Sequence, residues 1–120
     1  GTGHGVGYFL NVHEGPHAIS KNNKVRFEEG MIVSNEPGYY EDGKFGIRIE
    51  NLVRVKKNKQ GYSFDNLTIA PIDKSLINKN ILKKNEIDWL DNYHHNVFEK
   101  LKKFMNKTEI GDLREACSKI

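Results

Sequence analysis

The sequence predicts an α+β unit, with sheet first and helix after. Three features carry this reading. Apolar side chains alternate with polar residues or glycine at several places before residue 72, and turn signals at Pro37-Gly38, Asp42-Gly43 and 58–61 cut that part into short pieces. From about Asp73 the apolar residues recur every three or four positions instead. The expected organisation is a β-rich part at 1–72 and a helical extension at 73–120, both belonging to one domain.

Taken in order, "VGYFLNVH" sets Val6, Tyr8, Leu10 and Val12 on one face, which predicts a strand over 6–13. A short strand is expected at Val25–Phe27, a turn near Gly30, and a β-branched run from Met31 to Val33 leading into Glu36. Pro37-Gly38 ends that run. "FGIRIENLVRV" predicts a strand over 45–55, with Phe45, Ile47, Ile49, Val53 and Val55 on one face and Arg48 and Glu50 on the other. After the turn at 58–61, a further strand is expected at 67–70, with Pro71 marking its exit. "NEIDWLDNYHHNVFEKLKKFM" then carries Ile87, Leu90, Val97, Leu101 and Phe104 at helical spacing, widened by Trp89, Tyr93 and Phe98. A helix over 85–105 follows, with Asn85 as its N-cap and its stripe packed into a core rather than forming a dimer surface. A shorter helix is expected at 112–119.

Composition excludes several classes of function. With 120 residues and a formal charge of +3, the 19 basic side chains are scattered among 16 acidic ones, without the basic stripe that nucleic-acid binding requires. No apolar run approaches the ~20 residues of a membrane span. The single Cys117 cannot form an internal disulfide, which suits a reducing compartment and a cytoplasmic location. The chain opens at Gly1 within a structured-looking run, so a longer parent protein is expected.

Four residues stand out as chemistry: His4, His13, Glu36 and Glu50. In "GTGHGVG" the glycines at 1, 3, 5 and 7 do not fit a phosphate cradle, since the G-x-G-x-x-G spacing is absent and no Gly-Lys-Ser/Thr follows. Alternate glycines keep one strand face bare, so that a ligand or another strand can approach closely. His94 falls on the apolar stripe and reads as a packing residue; His95 reads as exposed, and His17 as a loop residue without a partner. Arg48 and Glu50, two apart on one face, would ordinarily be a solvent-facing ion pair of small value. Together, one imidazole and two carboxylates make the mixed N/O set that suits Mn, Zn, Co or Fe. Two carboxylates able to bridge suit a two-metal site, although three ligands are too few for two ions.

"GTGHGVGYFLNVHEGP", "NEPGYYEDG" and "FGIRIENLV" resemble, in order and spacing, the three C-terminal motifs of the pita-bread metallopeptidases. Within that family they are most similar to the aminopeptidase P branch in its eukaryotic cytosolic form. The resemblance is dense over 1–55 and looser to Ile72, and the tail "EIDWLDNYHHNVFEKL" resembles the C-terminal extension of the cytosolic members. It implies the C-terminal half of a pita-bread fold, a curved antiparallel sheet followed by helices. The implied activity is hydrolysis that releases the N-terminal residue from peptides with proline in second position, using two divalent ions, usually manganese, with zinc or cobalt as alternatives. By the same resemblance His4, Glu36 and Glu50 are metal ligands, and Glu36 takes the proton of the attacking water. His4 and His13 meet the substrate, His13 steadying the tetrahedral intermediate, while Arg48 and Tyr40 support the site from behind. On this reading alternate glycines let substrate lie against bare backbone beside His4.

The resemblance also implies a homodimer of the full-length protein. It further implies two aspartate ligands and one more substrate histidine, all expected before Gly1, so that the 120-residue chain alone is expected to be inactive. A prolidase or methionine aminopeptidase of the same fold, or a non-catalytic peptide-binding module, are the competing readings. The presence of His4, Glu36 and Glu50 argues against the last.

Overall fold

Seven strands and two α-helices make up the described residues of the computed structural model, 1–9 and 11–120: β1 Gly3–Val6, β2 His13–Ile19, β3 Ile32–Asn35, β4 Gly38–Glu41, β5 Phe45–Arg48, β6 Asn51–Asn58, β7 Gly61–Asn66, α1 Lys84–Leu101 and α2 Lys107–Ala116. They fall into two compact units, Gly1–Thr68 and Ile69–Ile120. The α+β class read from the sequence is the class found.

The first unit holds a five-stranded antiparallel sheet in the order β2-β1-β3-β6-β7, and β4 and β5 form a separate antiparallel pair. Its buried side chains lie on the central strands: Val33 and Ser34 on β3, Val53 and Val55 on β6. β6 and β7 are joined at the turn expected over 58–61, with Asn58 paired to Gly61.

Several expected elements are redrawn. Residues 7–9 and 11–12, between β1 and β2, belong to no strand, and Tyr8 and Phe9 are 98% and 82% exposed. Their alternation therefore reflects no buried face; Leu10, assigned to the same face, lies outside the described residues. His17 belongs to β2 rather than to a loop, and it has a partner, since its Nε2–H donates to the Ile32 carbonyl at 2.8 Å. Val25–Phe27 belongs to no strand, with Phe27 edge-on to Phe64 and His17. The expected 45–55 strand is two strands. β5 pairs with β4 and β6 pairs with β3, and the chain changes partner at Ile49-Glu50, where Ile49 N–H donates to the Pro37 carbonyl at 3.2 Å. Phe45, Ile47 and Ile49 are consequently exposed, while Val53 and Val55 are buried. Likewise β7 spans 61–66, and the region 67–70 is not a strand.

In the second unit, Leu90, Tyr93 and Val97 of α1 pack with Leu113 of α2, ringed by Ile72, Ile77, Phe98, Leu101, Met105, Cys117 and Ile120. Of the predicted stripe, Leu90, Tyr93 and Val97 are buried and Ile87, Phe98 and Leu101 half-buried, whereas Trp89 and Phe104 are exposed. His94 is fully buried, and its Nε2 accepts the Ile72 N–H at 3.1 Å. Burial, then the nearby Lys74 charge, lowers its pKa and keeps the ring neutral. His95 is exposed. Both helix starts are corrected. Asn85 lies inside α1, and Lys83 precedes the helix with its N–H held by Glu86 Oε2 at 2.7 Å. α2 begins at Lys107 after Asn106, whose Oδ1 accepts the N–H groups of Thr108 and Glu109 while Glu109 returns a carboxylate to the Asn106 N–H. The Asn-x-x-Glu signature at 106–109 is the signal that places this helix, and α2 ends at Ala116. Among the described residues no helix is long and apolar enough to cross a membrane.

The glycines of β1 serve the sheet. A Cβ on Gly3 would stand 2.0 Å from the Ser34 carbonyl oxygen, and one on Gly5 would stand 2.0 Å from that of Glu14. Those spaces are filled by the neighbouring backbone, so the bare face admits adjacent strands, as expected, and leaves no room for substrate against Gly3 and Gly5. Gly3→Ala must push β1 away from β3, and overpacking of this kind costs about 1–3 kcal/mol or more. A clear drop in the thermal midpoint of the variant is the expected measurement.

Candidate metal centre

The site is built where β1, β2 and β3 come together. His4 sits in the middle of β1 with its Nδ1 2.8 Å from the Gly5 carbonyl oxygen. A carbonyl only accepts, so Nδ1–H donates to it, and Nε2 is the ring nitrogen turned toward Glu36. Nε2 lies 2.8 Å from Glu36 Oε1, a hydrogen-bond distance, and it is the nitrogen that a metal would take in place of a proton. Glu36 lies just beyond the end of β3, its N–H donating to the Thr2 carbonyl at 2.7 Å. Both side chains are largely sheltered, at 19% and 14% exposure.

His13 arrives by an irregularity in strand pairing. His4 pairs with Ala18, but Val6 pairs with His13, so the register of β2 slips between the two pairs. The slip stacks the His13 ring at 4.0 Å from that of His4, tilted by 36°. His4, His13 and Glu36 then each offer one ligand atom, all within 4.8 Å of one another. A histidine whose second nitrogen is tied to a backbone carbonyl is the usual arrangement of a metal ligand. The donor set, two imidazoles and a carboxylate, fits a divalent transition ion.

Glu50 stands apart from this cluster. It follows β5, and its Oε2 is 4.0 Å from Arg48 Nη1, the same atom that lies 3.1 Å from Glu36 Oε2. Arg48 thus sits between the two carboxylates. Its Nε–H donates to the Tyr40 hydroxyl at 2.8 Å. That hydrogen bond, with the negative charge of Glu36 and Glu50, holds the guanidinium pKa above its ordinary value. The Tyr40 ring lies over Gly46, directly opposite on β5, where an added Cβ would come within 2.6 Å of the ring. Of the residues singled out by sequence, the fold gathers His4, His13 and Glu36, and Arg48, held by Tyr40, lies between Glu36 and Glu50.

Sequence reasoning missed Ser34. It is wholly buried, its Oγ accepting the His4 N–H at 3.0 Å and donating to Glu36 Oε1 at 3.0 Å. A polar residue between Val33 and Glu36 in a run otherwise read as apolar strand was the available signal.

Comparison with known proteins bears on this geometry. A family model described as metallopeptidase family M24 matches residues 1–57, and one described as the C-terminal region of peptidase M24 matches residues 60–120. A probable Xaa-Pro aminopeptidase P of Laccaria bicolor is 47% identical over 131 residues, covering 98% of this chain and 20% of its own length. Aminopeptidase P2 of Arabidopsis thaliana is 50% identical over 111 residues, covering 84% and 16%. The crystal structure of X-prolyl aminopeptidase from Caenorhabditis elegans, a cytosolic enzyme with a di-nuclear active site, superposes with a TM-score of 0.86 at 38% identity. It covers 100% of this chain and 21% of that one. The chain spans about a fifth of the length of these relatives.

Proposed function

The chain belongs to metallopeptidase family M24 and carries the C-terminal part of its pita-bread fold, and from that premise we propose that the full-length protein is an Xaa-Pro aminopeptidase. Residues 1–72 and 73–120 are its β-rich part and helical extension within one catalytic domain. The observation that carries the proposal is the convergence of His4 Nε2 on Glu36 Oε1 at 2.8 Å, with His13 beside them. That the C. elegans relative has a di-nuclear active site supports two divalent ions here. We assign them to manganese, in a cytosolic, homodimeric enzyme.

His4, Glu36 and Glu50 would hold the ions, with the remaining ligands outside these residues. When bound, two divalent cations supply a water acidic enough to attack an amide at neutral pH. Glu36 accepts a proton from the attacking water and returns it to the leaving proline nitrogen, as base and then acid. Its second oxygen is held by Arg48 at 3.1 Å, which fixes the carboxylate during that exchange. His13 is exposed while His4 and Glu36 are sheltered, so a peptide can reach its ring. Its N–H meets the charge that grows on the former carbonyl oxygen. The Arg48 positive charge keeps Glu36 and Glu50 close without mutual repulsion.

Assaying manganese-loaded full-length protein with an Xaa-Pro-Yaa tripeptide and an Xaa-Pro dipeptide tests the assignment. Release of the N-terminal residue from the tripeptide is expected, with far slower cleavage of the dipeptide. The reverse preference would assign a prolidase. His4, Glu36 and Glu50 are fewer ligands than two ions need, so the 120-residue chain alone is expected to show no turnover in the same assay.

A further inference from the structure

Ser34 has no part in the chemistry above, yet it is among the most deeply buried polar residues of the sheet unit. A hydroxyl has one proton and two lone pairs. Here the proton goes to Glu36 Oε1 at 3.0 Å and a lone pair takes the His4 N–H at 3.0 Å. The His4 carbonyl, at 3.5 Å, is the weaker of the two acceptors for that proton. One buried oxygen atom therefore ties the backbone of one candidate ligand to the carboxylate of another, across residues 30 apart in sequence.

The surroundings leave this oxygen little freedom. β1 meets β3 through the pair Gly5 and Val33. The absent side chain of Gly3 lets the Ser34 carbonyl close to within 2.0 Å of where a Cβ would stand. Glu36 lies past the last ladder pair of β3, so the sheet alone does not orient its side chain. Its Oε1 is oriented by Ser34 on one side and faces His4 Nε2 on the other.

We propose that Ser34 is a positioning residue of the metal centre, setting the His4 backbone and the Glu36 carboxylate so that their ligand atoms converge. This rests on the reading that His4 and Glu36 hold an ion. Losing an outer partner of metal ligands costs about 10–100-fold in metal affinity or activity, and that range is expected for Ser34→Ala.

The test is a cobalt titration of full-length protein, followed by its visible absorption, on the wild type, Ser34→Ala, Ser34→Thr and Ser34→Cys. Expected are a weakening of about 10–100-fold for Ser34→Ala, recovery for Ser34→Thr, which keeps the hydroxyl, and weakening for Ser34→Cys, whose thiol donates poorly. Ser34→Cys carries the test if Ser34→Ala does not fold. Ser34→Ala or Ser34→Cys titrating like wild type would overturn the inference, as would Ser34→Thr weakening as much as Ser34→Ala. A wild-type protein that takes up no cobalt would overturn the metal reading itself, and the inference with it. Thermal unfolding in chelator separates the two roles: a purely structural serine would lower the midpoint while leaving cobalt affinity unchanged.

Discussion

Glu36→Gln in the full-length protein is expected to lower kcat/KM toward an Xaa-Pro tripeptide by about 10³–10⁴-fold, near the upper end of what a positioned acid-base group contributes. The substitution keeps the shape of the side chain and an oxygen able to accept from Ser34. It removes the negative charge that faces His4 at 2.8 Å and Arg48 at 3.1 Å. An amide cannot take the proton of the attacking water, and it binds a divalent cation less well than a carboxylate. Steady-state kinetics beside a metal analysis of the same preparation checks both consequences. A variant retaining more than a tenth of wild-type kcat/KM would remove Glu36 from the proton-transfer role.

The second large effect is expected at His13. His13→Ala should reduce kcat by about 10²–10³-fold, the size of losing one donor to a developing oxyanion, while metal content stays at the wild-type level. The pairing of readouts matters because the fold brings a ligand atom of His13 within 4.8 Å of those of His4 and Glu36. Its ring is exposed, at the start of β2, where a substrate can meet it. Loss of metal in step with loss of activity would make His13 a ligand instead.

The parts of the fold that depend on local pattern could be read from the sequence. Helical spacing located the stripe of Leu90, Tyr93 and Val97, and the turn residues located the ends of β6 and β7. The nearness of His4 and Glu36 was readable as well, through motifs rather than periodicity. What escaped depends on pairing between distant residues, which no local window contains. The break at Ile49-Glu50 exists because β5 and β6 have different partners. His13 reaches His4 through a register slip, and the bare faces of Gly3 and Gly5 are filled by carbonyls of β3 and β2. Ser34 showed only as a polar residue in an apolar run; its role comes from His4 on the neighbouring strand and from Glu36. The start of α2 is different. Its Asn106–Glu109 capping pair is local and was open to inspection.

Where a divalent ion binds decides whether His4 and Glu36 are metal ligands. Anomalous diffraction from crystals of the full-length protein soaked with zinc locates it. The expected result is a peak at coordination distance, about 2.0–2.2 Å, from His4 Nε2 and a Glu36 carboxylate oxygen. An ion held elsewhere, with His4 and Glu36 still bonded to each other, would contradict it.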